Sequence, residues 1–108
     1  MIRFITLVVA GVLTVAATAS AQSAEKGKEV YAAQKCSVCH SIADVGNKKG
    51  PLDKVGAKLS AADIRSWITG APDMAAKAKA DRKPAMKAYT TLAKEDVDNL
   101  VAYLQTLK

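Results

Sequence analysis

Two cysteines and a single histidine are the whole stock of thiol and imidazole in these 108 residues. A structural zinc site takes about four nitrogen or sulfur ligands, and no second Cys/His pair exists to complete one. Aromatic side chains are scarce too, with one tryptophan, one phenylalanine and three tyrosines. The chain therefore lacks the stacking platform of a nucleic-acid binder. No stretch alternates β-branched and polar residues. That excludes a sheet as the organising core, and with it the βαβ setting of a thioredoxin-like C-x-x-C. Internal repeats and low-complexity tracts are absent as well.

What the chain does have is concentrated. Both cysteines and the histidine fall in Cys36-Ser37-Val38-Cys39-His40, the C-x-x-C-H pattern of c-type haem attachment. On one helical turn, residues three and four apart share a face. Cys36 and Cys39 can then form thioethers to the two vinyl groups on one porphyrin edge. His40 falls on the same face, where an imidazole nitrogen reaches the iron. A disulfide between the cysteines would leave His40 without a role. The expected cofactor is one covalent haem c on Cys36 and Cys39, with His40 as an axial ligand.

Residues 1–21 have the layout of a secretory signal peptide. Arg3 supplies the positive charge, Phe4 to Thr18 the apolar stretch, and Ala19-Ser20-Ala21 a small-residue cleavage site. An uncleaved anchor is the other reading. Cleavage leaves residues 22–108 as one domain with no membrane span. Export fits the cysteine chemistry, because bacteria join haem to C-x-x-C-H outside the cytoplasmic membrane; the expected compartment is the periplasm. A domain of this size is marginal by core burial alone, and a buried porphyrin would supply much of the missing apolar contact.

Apolar residues after the leader come in short helical groups, so the fold class is all-α. A first helix is expected over 24–35, with Ser23 as N-cap, Glu25 in the first turn, and Gly27 where another helix crosses closely. Residues 41–59 read as an irregular loop wrapping one edge of the haem. Ser60 and Asp63 suggest a capping box ahead of a helix that carries Ile64, Trp67 and Ile68 inward and stops at Gly70. A short helix is expected over 73–80, a non-helical segment over 81–92, and a last helix over 94–107 with Val97, Leu100, Val101, Leu104 and Leu107 as its apolar stripe. Trp67 is expected in the core.

The sixth iron ligand is narrowed by counting. With one histidine, bis-histidine ligation is excluded. Loss of Met1 leaves Met74 and Met86. Met74 sits among alanines in an expected helix, which suits packing. Met86 follows Pro84 in an extended stretch, free to turn its thioether inward. Met86 is the candidate distal ligand, with Met74, a lysine or an open position as alternatives.

The chain resembles the small bacterial class I cytochromes c over nearly all of residues 22–108. The resemblance is carried by the haem motif after a helix bearing Gly27 and Tyr31, by Gly50-Pro51-Leu52, by Trp67-Ile68, by Lys83-Pro84-Ala85-Met86-Lys87-Ala88-Tyr89, and by the closing Leu100-Val101-Ala102-Tyr103-Leu104. It implies that the first and last helices cross at Gly27, Tyr31, Leu100 and Tyr103. It also implies that Met86 is the distal ligand and that the Pro51 carbonyl accepts the second N–H of His40, orienting the ring. Lys87 stands where many members carry proline.

The expected function follows from the site. Iron ligated on both faces has no open position for substrate, so the chain should be an electron carrier rather than an enzyme. Methionine opposite histidine raises the reduction potential. A net charge of +6, with Lys35, Lys83 and Lys87 beside the ligand segments, suits redox partners with acidic docking surfaces. A ligand-sensing haem protein and a haem subunit of a larger oxidoreductase are the alternatives.

Overall fold

The computed structural model describes Gly11 and residues 23–108; the leader and its cleavage site lie outside the described residues. The chain runs α1 (Ala24–Ala33), a 3-10 turn (Cys36–Val38), β1 (Ser41–Ile42), β2 (Val45–Gly46), α2 (Val55–Lys58), α3 (Ala61–Thr69), α4 (Ala71–Ala78) and α5 (Lys94–Gln105). The fold is all-α, as the patterning implied. Among the described residues no helix is long and apolar enough to cross a membrane.

The start of α1 is set by Ser23, whose backbone is extended and whose hydroxyl accepts the Lys26 N–H. This satisfies one of the free donors of the first turn. The helix ends two residues earlier than expected. Lys35 adopts a left-handed conformation, φ 55, so it belongs to the turn that redirects the chain into the cysteine motif.

The most extensive helix contact joins α1 to α5. Gly27 is buried at the crossing, and a Cβ there would overlap the Asn99 carbonyl and the Tyr103 Cβ. Absence of a side chain lets the two backbones touch. One turn on, Tyr31 and Tyr103 meet edge to face, centroids 6.0 Å apart and planes at 62°, a favoured aromatic geometry. The buried Asn99 side chain accepts the Ser23 N–H at 2.9 Å, tying the first residue of the pair to the last helix.

Helix α3 also packs on α5. Its cap is Ser60, which accepts the Asp63 N–H at 3.1 Å. Ile64 and Ile68 of α3 join Val97, Leu100, Val101 and Leu104 of α5 in the buried core. Burying each such side chain contributes about 1.5–3 kcal/mol. Arg65 reaches across to Asp98, which also holds Lys94 at 2.8 Å.

Trp67 departs from expectation. It is only half-buried, while Ile64 and Ile68 take the core positions. Helix α4 also starts earlier than expected: Gly70 closes α3 and opens α4 at once, and Pro72 falls in the first turn of α4, where its missing N–H is no loss. The stretch 41–59 is more regular than a loop. It holds an antiparallel hairpin of two-residue strands, paired Ser41 with Gly46 and Ile42 with Val45, and the short α2. The Gly56 N–H donates to Leu107 at 2.7 Å, docking α2 on the end of α5.

A candidate haem site

The cysteine motif is a single tight turn. The Cys39 and His40 N–H groups both donate to the Cys36 carbonyl, at 3.1 and 2.9 Å. Cys36, Cys39 and His40 are thereby gathered on one turn, as their spacing required. Both thiols are free and half-buried. Burial pushes the Cys36 thiol up, with Lys87 acting the other way.

The hairpin wraps this turn. The Asn47 N–H is shared between the Ser37 carbonyl at 3.0 Å and the His40 carbonyl at 2.9 Å, and its side-chain amide donates to the Val38 carbonyl at 3.2 Å. Gly46, at φ 110, leads into it, and a side chain there would strike the His40 carbonyl. Three carbonyls of the motif, those of Ser37, Val38 and His40, are thus held by Asn47, a residue that composition alone did not flag. The Gly46-Asn47 pair is a turn signal, as is Gly50-Pro51 just after it.

His40 is half-buried, and its Nδ1 lies 3.0 Å from the Gly50 carbonyl oxygen. A carbonyl can only accept, so Nδ1 carries the proton and the lone pair sits on Nε2. Burial lowers the imidazole pKa, the Gly50 bond raises it, and Arg82 nearby lowers it again, leaving the ring below its ordinary value. The acceptor is Gly50, not Pro51 as the family resemblance implied. Pro51 bridges to Ser41 instead, and the Ser41 N–H shares the Gly50 carbonyl at 3.1 Å. The loop returns one residue earlier than the resemblance implied.

Two free thiols three residues apart, followed by an imidazole with one nitrogen committed and the other open, are the donor set haem c requires. The residues fit the group.

The whole described chain carries the same signature, since the cytochrome c family model matches residues 24–108. The chain belongs to the cytochrome c family. No curated protein and no solved structure matches it. The cofactor of a cytochrome c is covalent haem c, and its work is haem-based electron transfer.

Against this cytochrome's site runs the segment 79–93, without helix or strand. Its anchor is the Tyr89 N–H, which donates to the Ile68 carbonyl at the end of α3 at 2.9 Å. The Lys87 ammonium stands 4.8 Å from the centre of the Tyr89 ring, within range of a cation–π contact. Burial raises the Tyr89 pKa, and the Cys36 and Cys39 thiols add to it. Lys87 and Tyr89 therefore flank the cysteines, and Met86, half-buried, precedes them directly. Met74 is half-buried on α4. Arg82 and Tyr89 are the site's neighbours that spacing could not reveal, because nothing in a sequence aligns residue 82 with residue 50.

Proposed function

We propose that this cytochrome is a diffusible one-electron carrier with a single haem c. Cys36 and Cys39 hold the porphyrin edge, and His40 and Met86 are the axial ligands. The chain works in the periplasm after loss of residues 1–21. Bound haem iron supplies the ferrous–ferric couple, and the residues decide where that couple sits. The observation that carries the reading is the His40–Gly50 hydrogen bond, which aims a free Nε2 out of the same turn as two free thiols.

A protein ligand on each side of the iron leaves substrate no coordination site, which favours a carrier over an enzyme. A thioether opposite imidazole favours ferrous iron and raises the potential. Lys35, Lys83 and Lys87 are exposed beside the ligand segments. They suit a partner with an acidic docking surface, met through steered, salt-sensitive encounter.

The test is extraction of the exported protein with acid–acetone, followed by intact mass. The carrier reading expects a chain beginning near Gln22 whose mass exceeds the polypeptide by one haem, and which purifies without a partner. Complete loss of haem on extraction, or constant copurification with a larger enzyme, contradicts it.

A further inference from the structure

Gly50 presents the carbonyl that orients His40, and the space its side chain would fill is taken by Arg82. A Cβ on Gly50 would overlap the Arg82 guanidinium and the Cys39 carbonyl oxygen. Arg82 comes from the segment 79–93, four residues before Met86, and is half-buried. The ion pairs found among the described residues both centre on Asp98, and Arg82 enters neither. No carboxylate among the described residues pairs with it. Here it touches the loop behind the histidine, and its charge is felt by the His40 ring.

We propose that Arg82 is a positioning residue for electron transfer: it clamps the segment carrying Met86 to the Gly50 loop behind His40, and its fixed charge holds the iron's reduction potential up.

Two properties of the side chain are used. The guanidinium, broad and rigid, occupies the space beside Gly50, which a compact ammonium on a flexible stem fills less well. A unit positive charge close to the iron disfavours the ferric state more than the ferrous, and a half-buried setting weakens the solvent screening of that effect. Groups outside the ligand set are an established lever on a metal's potential. The clamp rests on the reading of Met86 above. The charge acts from the His40 side and holds whichever group is distal.

The experiment uses the haem-loaded variants Arg82→Gln, Arg82→Lys and Lys79→Gln. Two quantities are read, the equilibrium reduction potential and the rate at which added imidazole displaces the distal ligand of the ferric protein. Arg82→Gln should lower the potential and speed displacement several-fold. Arg82→Lys should keep most of the potential yet share the faster displacement. Lys79→Gln, at an exposed cation three residues away, should stay near the parent on both. An Arg82→Gln protein with the parent's potential and displacement rate overturns the proposal. So does a Lys79→Gln shift as large as that of Arg82→Gln, which would show general surface charge at work. A parent spectrum without the Met–iron band would sink the reading of Met86 instead, and the potentials would still decide the role of Arg82.

Discussion

His40 donates from Nδ1 to the carbonyl oxygen of Gly50 at 3.0 Å. That bond joins the cysteine turn to the loop that follows the hairpin. It fixes the ring's tautomer and rotation before any metal arrives, and a donor bond of this kind makes the other nitrogen a stronger ligand. The imidazole is therefore oriented by a backbone carbonyl, which side-chain substitution cannot easily remove.

The α1–α5 crossing predicts a reversal of normal helix behaviour. Gly→Ala inside a helix usually stabilises by about 1 kcal/mol. At Gly27 the new methyl would enter the Asn99 carbonyl. Gly27→Ala should instead destabilise by about 1–3 kcal/mol, as overpacked sites do. Denaturant unfolding of the haem-loaded protein measures it, and a stabilised variant would refute the close approach.

Tyr31 gives a pH-dependent prediction. Its hydroxyl is buried with no partner among the described residues, and burial, followed by Cys36, Tyr103 and Asp53, pushes its pKa up to about 12. A raised phenol pKa means stability is complete below the unfolded value of 10.0 and is lost as pH climbs from there toward about 12, because only the unfolded chain ionises freely. Tyr31→Phe removes an unsatisfied group and keeps the ring against Tyr103. Its stability at neutral pH should match or exceed the parent's, and its loss between those two pH values should be shallower. Parallel alkaline curves for parent and variant would contradict the assignment.

Asp98 works in the opposite direction. Hydrogen bonds from Lys94 and Arg65 hold its carboxyl below the usual aspartate value. A depressed pKa contributes stability above the unfolded value that fades as pH falls through the folded one. Asp98→Asn should therefore be less stable than the parent at neutral pH, and the gap should close in acid. A gap that persists unchanged at low pH would assign the loss to packing.

The core is small, and its partly buried members, Val30, Tyr31, Leu52, Tyr89 and Leu92, surround it without closing it. They pack against it yet stay only partly buried, and a covalent haem would add the apolar contact that a core this small lacks. Cys36→Ala combined with Cys39→Ala should leave the chain largely unfolded by circular dichroism. A sharp thermal transition with native helix content in that variant would refute this dependence.

Much of this was legible in the sequence, for physical reasons. The motif fixes its own geometry because three ligand positions fit one turn. A close crossing was readable at Gly27 because a mid-helix glycine suits close helix contact, Tyr31 and Tyr103 were placed there by the family resemblance, and Ser60 was readable as a cap. The hairpin was not, since strands of two residues are too short to show a period. The left-handed Lys35 left no trace, lysine having no preference for it. Trp67 misled because size suggests burial, whereas Ile64 and Ile68 already fill the face of α3 turned toward α5. The acceptor for His40 was assigned one residue late, because which carbonyl faces the ring depends on how the hairpin returns.

The central claim is that Met86 binds the iron opposite His40, and the ferric absorption spectrum tests it most directly. Met–iron ligation gives a weak long-wavelength band. Met86→Ala should abolish the band, lower the potential and open the reduced protein to carbon monoxide. Met74→Ala should leave the spectrum intact and at most weaken packing around α4. Survival of the band in Met86→Ala with its loss in Met74→Ala would contradict the account and place α4 over the distal side of the haem.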